Sequence, residues 1–330
     1  MLPNTPPLEG LPEFIRAMTG MELLPWQQHW LDRHGDSLAV NQWAPGTTPD
    51  WHWCLGLPML SRAERSIQRC ERLLIGLNAL PGCGKTTFGR WLIAAADQLG
   101  LAIAVISIDD FYLPAEEMDQ AMAGNPWGVP RALPGSHDID LMVDCLARWK
   151  RGDAVTLPQF DKALRGGRGD RSGSIHCNAD VLLVEGWFLG CSPLNDGEEL
   201  SEGSGHLHQP LLPDELRYRQ IVQTELKRYK PVWAQIDTLW QLAASDFNAP
   251  EQWKRQQEQT MQNERGIALS SAAVTGFIRM IQSAIPATSF ALDQASVVIE
   301  LDPDRRFQRI RAQVDQDSLS SVSLTGYTKP

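Results

Sequence analysis

The chain has 330 residues, a formal net charge of −10 and 43% hydrophobic residues, enough for one large α/β domain or two smaller ones. Basic residues are scattered through an acidic background, which argues against nucleic acid or an anionic membrane as the main partner. The six cysteines are widely spaced and contain no CxxC pair, so a cytoplasmic enzyme with reduced thiols is expected, without a disulfide framework or a zinc site.

In chain order, Met1 to Gly20 carries Glu9, Glu13 and several prolines, without the basic-then-apolar order of a signal peptide. Residues 1–70 read as an N-terminal helical extension. Leu11 to Asp36 places apolar residues at mixed helical spacing, and Ser61 to Arg72 is a short charged helix leading into the first strand. Leu73 to Leu77 is an apolar run that reads as a buried strand. It delivers Ala79-Leu80-Pro81-Gly82-Cys83-Gly84-Lys85-Thr86, followed by Thr87, a GxxxxGK[ST] loop with alanine in the first glycine's place. Such a loop wraps backbone N–H groups around phosphates, sends its lysine to the β/γ oxygens and sets its hydroxyl on Mg²⁺. Behind it, Phe88, Trp91, Leu92, Ala95 and Leu99 recur at helical spacing, and Gly100 stands where a C′ glycine would. This unit aims a helix N-terminus at an anion, and binding of ATP with Mg²⁺ is expected. Cys83 sits at that helix N-terminus, where a thiol pKa is lowered, so it is a candidate for oxidation.

Leu101 to Ile106 is among the longest apolar stretches and is far too short to span a bilayer. The strand through Ile108 ends in Asp109 and Asp110. At the carboxyl end of a strand a carboxylate can orient or deprotonate an attacking hydroxyl, and Asp109 is expected in that catalytic role beside Lys85. A helix N-cap is the competing use of such an aspartate, and Asp110 is expected to cap or hold water. Tyr112, Arg131 and His137 are candidates for lining the acceptor pocket. For Tyr112 a place in the core, and for His137 a structural role at a turn, are the alternatives. Ala179 to Gly186 forms a strand that brings Glu185 to the same edge, where it would hold Mg²⁺ with Thr86. Lys162 to Arg171 gathers Lys162, Arg165, Arg168 and Arg171 among three glycines. Arginine forks suit a carboxylate, so this segment reads as a mobile loop for an anionic small molecule; a solvated basic loop is the bland alternative.

The clearest strands are 73–78, 102–108, 181–185 and 296–301, alternating with helices. That pattern gives an α/β fold with a doubly wound, mostly parallel sheet. Residues 192–213 read as a surface excursion, and the helix from Trp253 to Arg265 carries Lys254 and Arg255 as possible phosphate ligands. Asp302-Pro303 reads as an N-cap and N1 pair opening a last helix through Arg311, and 313–330 is a polar tail.

The triplet AxxxxGKT, SIDDFY and VLLVEG resembles the P-loop small-molecule kinases that include uridine kinase, phosphoribulokinase and pantothenate kinase. Four further runs are similar to the plant and cyanobacterial type of glycerate kinase. They are Arg131-Ala132-Leu133-Pro134-Gly135-Ser136-His137-Asp138, Leu157-Pro158-Gln159-Phe160-Asp161-Lys162, Gly167-Arg168-Gly169-Asp170-Arg171 and Trp253-Lys254-Arg255-Gln256-Gln257-Glu258. The likeness covers about 70–311. It implies a P-loop NTPase-type sheet over 71–312, a lid region at 250–285, ATP and Mg²⁺, and phosphorylation of D-glycerate to 3-phosphoglycerate. Another small-molecule kinase (acting on pantothenate, a nucleoside or a sugar phosphate) and a non-catalytic ATP-binding protein remain the rival readings. Oligomeric state is not legible in the sequence.

Overall fold

A computed structural model describes residues 8–201, 203–265 and 270–313; the tail from 314 onward lies outside them. Six strands form one sheet: β1 (Leu73–Ala79), β2 (Ile103–Ser107), β5 (Val181–Gly186), β6 (Thr238–Ala244), β7 (Val297–Leu301) and β8 (Phe307–Ala312), in the order β2-β5-β1-β6-β7-β8. The first five run parallel and β8 is antiparallel to β7. A parallel sheet is covered on both faces, and so its strands read as continuous apolar runs. All seven residues of β1 are buried, as are five of the six in β5. β3 (Val155–Asp161) and β4 (Asp170–Cys177) pair as a separate antiparallel hairpin, largely solvent-exposed.

The helices that follow the strands include Lys85–Leu99, closed by Gly100 in a left-handed conformation, and Ile139–Lys150, capped by the Asp138 carboxylate on Leu141 N. Helices Leu11–Thr19, Leu23–Asp32 and Leu57–Gln68 pack on one another, and the first also packs on β8. The extension is tied to the sheet domain by aromatic contacts. Trp43 stacks on Trp91 at 5.1 Å, and the Trp91 indole N–H donates to Leu38 O. Residues 187–212 contain no helix or strand among those described, and they are pinned at Leu194, Leu200 and His206 by Gln223, Arg219 and the Gln282 carbonyl.

Two readings of the sequence are corrected. The expected last helix is a turn over 302–306 followed by β8. Asp302 does cap, accepting from Arg306 N at 2.8 Å, but the cap closes a hairpin turn. The strand expected over 102–108 ends at Ser107, after which Ile108–Phe111 makes a single 3₁₀ turn. That turn carries the aspartate pair.

Candidate active site

Register brings the chemistry to one rim. Glu185 on β5 pairs with Leu77 on β1 and with Ser107 on β2. Ala79 therefore leaves the sheet two residues beyond one neighbour of Glu185, and Asp109 lies two residues beyond the other. In parallel strands all three tips point the same way, at the carboxyl edge where ligands bind.

The phosphate-binding loop is shaped from outside as well as from within. Gly82 has φ 79°, and a Cβ there would lie 2.6 Å from Trp253 Cβ; Gly84 has φ 125° and faces the Trp51 ring. The first hydrogen bond of the Lys85–Leu99 helix runs from Phe88 N to Gly84 O. The preceding N–H groups therefore face outward from the helix start, as an anion cradle requires. Lys85 Nζ donates to Ala79 O at 2.6 Å and lies 4.0 Å from Glu185 Oε2. Thr86 is exposed beside it. Burial pushes the Glu185 carboxyl up; Lys85 opposes this and the Asp109 charge adds to it. A divalent cation would relieve that strain in charge. Among the described residues no group of three or more His, Cys, Asp or Glu could hold a metal alone. Thr86 and Glu185 suit an ion whose other ligands are phosphate oxygens and water.

Asp109 is the centre of a second cluster. Its Oδ2 accepts from Lys162 Nζ at 2.6 Å, and its Oδ1 is 3.9 Å from His137 Nε2. Burial alone would raise the Asp109 carboxyl. The Lys162 ammonium and the facing His137 outweigh burial and hold it well below the usual carboxylate range. Lys162 is raised in turn, because the attraction of Asp109 exceeds the cost of desolvation. Asp110 caps the 3₁₀ turn, accepting from Ser107 N at 2.9 Å. Tyr112 is buried, stacks on His137 at 4.5 Å and meets Phe160 edge-on at 4.9 Å.

The arginines are gathered around this cluster, each with a partner. Arg165 and Arg168 share the Asp119 carboxylate, both at 2.6 Å. Arg171 holds Asp138 at 2.8 Å and the Tyr112 carbonyl at 3.1 Å. Arg131 donates to the Gly167 and Arg168 carbonyls, and its charge is felt at Lys162 and Tyr112. Arg165 also feels the Asp170 and Glu116 carboxylates, so the arginines are held among acids. Arg255 pairs with Glu251 along its own helix and Lys254 with Glu258; Lys254 feels Lys162 and Arg131, so it lies toward the site. Cys83 corrects an expectation: it is fully buried, and burial pushes its thiol up to about 11 against the pull of Lys85 and Arg305. Desolvation outweighs the helix N-terminus here. Two surface hollows, of about 480 and 280 Å³, are lined by Cys70, Arg72 and Lys150 and by Ser192, Glu198 and Asp293 respectively, away from the loop.

No family model matches the chain. Over 241 residues it is 27% identical to the uncharacterized kinase mug58 of Schizosaccharomyces pombe, covering 70% of this chain and 84% of that protein. Over 223 residues it is 30% identical to the chloroplastic D-glycerate 3-kinase of Arabidopsis thaliana, covering 62% of this chain. That match spans 45% of the plant protein's length. The solved structure of D-glycerate 3-kinase from Cryptococcus neoformans superposes with a TM-score of 0.64 at 23% identity, over 91% of this chain and 99% of that one. The fold is that of the P-loop kinases. The resemblance and fold class read from the motifs are borne out. The solved structure of the YGR205w protein superposes with a TM-score of 0.65 at 21% identity, over 82% of this chain and all of that one. No helix among the described residues is long and apolar enough to cross a membrane.

The segment Lys162 to Arg171 is visible in the sequence as basic, but only folding shows that Lys162 belongs to Asp109, 53 residues away. Trp253 opens one of the runs read in the sequence, but its meeting with Trp51 and Arg305 around the loop carries no sequence signal, because the three converge from distant segments.

Proposed function

We propose that this protein is an ATP-dependent kinase that phosphorylates the terminal hydroxyl of a small hydroxy acid, D-glycerate. The observation that carries the proposal is the meeting of Lys85, Glu185, Asp109 and Lys162 at one sheet rim, beneath a phosphate-binding loop. Relatives named as kinases, one of them a D-glycerate 3-kinase, support the same reaction.

In this reading the N–H groups of residues 84–87 and Lys85 hold the β- and γ-phosphates. Thr86 and Glu185 hold a divalent cation, Mg²⁺, which when bound neutralises phosphate charge and keeps the transferring group aligned. Arg131, Arg165, Arg168 and Arg171 take the acceptor's carboxylate by exchanging some of their present partners for it. Tyr112 and His137 wall the acceptor, and Asp109 accepts a hydrogen bond from its terminal hydroxyl. The hydroxyl oxygen bonds to the γ-phosphorus as the bond to the β,γ-bridging oxygen breaks, and ADP departs with that oxygen. The proton passes to Asp109 and on to solvent. A carboxylate held so far below its ordinary range is a weak base, so Asp109 serves chiefly to orient the nucleophile while the proton leaves late.

The test is ADP formation across D-glycerate, L-glycerate, pantothenate, uridine and ribulose 5-phosphate, with ATP and Mg²⁺. Turnover is expected with D-glycerate at a kcat/KM at least about 10²-fold above the others, since uridine brings no anion for the arginines and the other three hold their anion and hydroxyl in a different arrangement. Equal or better turnover of any other acceptor, or nucleotide binding without turnover, overturns the assignment.

A further inference from the structure

His137 is buried, with 2% of its surface exposed, and its Nε2 has no hydrogen-bond partner. A buried polar atom left unmet is costly unless a ligand meets it. It faces the oxygen of Asp109 at 3.9 Å, beyond hydrogen-bond distance. A single oxygen about 2.8 Å from each atom would bridge that gap.

Which ring nitrogen carries the proton follows from the other side of the ring. Nδ1 lies 2.7 Å from the Tyr229 hydroxyl oxygen, which already accepts from Gly135 N at 3.1 Å. The Ser136 hydroxyl, 3.3 Å from Nδ1, spends its hydrogen on Leu133 O at 2.6 Å. With a proton on Nδ1, the Tyr229 O–H would have no acceptor, and a bare Nε2 lone pair would face the Asp109 carboxylate. With the proton on Nε2, Tyr229 donates to Nδ1, and a positive N–H edge faces Asp109. Both ends favour the second arrangement. We propose that Tyr229 is a positioning residue that fixes His137 as the neutral Nε2–H tautomer, so that this N–H and Asp109 address one oxygen of the acceptor's reacting hydroxyl group. His137 donates to the oxygen's lone pair while Asp109 accepts its hydrogen. Burial lowers the imidazole and raises the Tyr229 phenol, which keeps both neutral. The inference rests on the kinase reading and specifies the acceptor chemistry: a hydroxyl oxygen met by an uncharged donor, with the acceptor's carboxylate left to the arginines.

The experiment pairs a spectroscopic readout with a kinetic one. Two-bond ¹H–¹⁵N correlation spectra of the ¹⁵N-histidine-labelled full chain, assigned with His137→Gln, should show the proton on Nε2 without any acceptor present. Tyr229→Phe should convert that signal to a mixture of tautomers. It should raise KM for the acceptor about tenfold, the loss of one oriented hydrogen bond, with kcat changed less and ATP affinity unchanged. In His137→Gln, adding Tyr229→Phe should have no further effect on KM, whereas independent structural damage would add. A proton on Nδ1 in the native protein overturns the inference, as does additivity of the two substitutions. If no acceptor turns over, the kinase reading falls separately, and the tautomer spectrum still decides this one.

Discussion

Lys162 and Asp109 show how far one pairing can change the work a side chain does. Asp109 sits where burial would keep a carboxyl protonated, yet the ammonium 2.6 Å away keeps it ionised. The sign follows directly. A group needed as a carboxylate fails as pH falls through its folded pKa, and that pKa lies below the range in which the enzyme is assayed. The native pH–rate profile should therefore show no acidic limb from Asp109 down to about pH 5. In Lys162→Met the ammonium is gone while burial and the facing His137 remain, so the carboxyl should rise from its depressed position. The acidic limb should move to higher pH than in the wild type, with kcat at neutral pH lower by about tenfold from the lost cation. An identical profile in wild type and variant would show that Lys162 leaves Asp109 before the chemistry begins.

The loop and the helix Ala249–Arg265 form one packing unit, because Gly82 leaves room for Trp253 and for nothing larger on its own side. Gly82→Ala places a methyl 2.6 Å from Trp253 Cβ at a φ of 79°. Left-handed strain costs about 1–2 kcal/mol and overpacking about 1–3 kcal/mol more. Gly100→Ala is the matched control, with φ 67° and no neighbour within 4 Å. Both should lower the thermal midpoint, but only Gly82→Ala should abolish stabilisation by ATP; equal nucleotide effects would detach the helix from the loop's function. At this scale the sequence is most legible where elements are buried and uninterrupted, as in β1 and β5. It is least legible where a local signal serves two structures. Asp302-Pro303 caps a turn as well as it would cap a helix, and Phe307 and Ile310 are spaced as on a helix face. The register shift between Glu300 and Leu301 disturbs the alternation that would have marked β8 as a strand. Pro158 in β3 and the polar run of β4 hid the hairpin in the same way, since an exposed two-stranded ribbon needs no apolar periodicity.

Over the whole molecule, the phosphate-binding loop is held by segments from both ends of the described chain. Trp51 of the N-terminal extension packs toward Gly84 and donates to Arg305 O at 3.0 Å. Arg305, in the turn before β8, donates through Nε to Gly82 O at 3.0 Å and through Nη1 to Gln256 at 2.9 Å, while Trp253 donates to Pro303 O at 2.7 Å. Residues 51, 82, 253 and 305 thus close a ring around a loop that the motif alone would leave to its glycines. Such a ring sets the backbone of the cradle before the nucleotide arrives, and pre-organisation of this kind is worth affinity more than stability. Removing Arg305 deletes two side-chain hydrogen bonds and its cation–π contact with Trp253 at a partly exposed position, but leaves Trp51 and Trp253 packed against the loop. Arg305→Ala should therefore weaken ATP binding about fivefold, close to 1 kcal/mol, while the thermal midpoint falls by no more than about 2–4 °C. Titration calorimetry and a thermal melt on the same sample separate the two effects. An unchanged dissociation constant with a large loss of stability would mean that the ring supports the fold and leaves the cradle to form on its own.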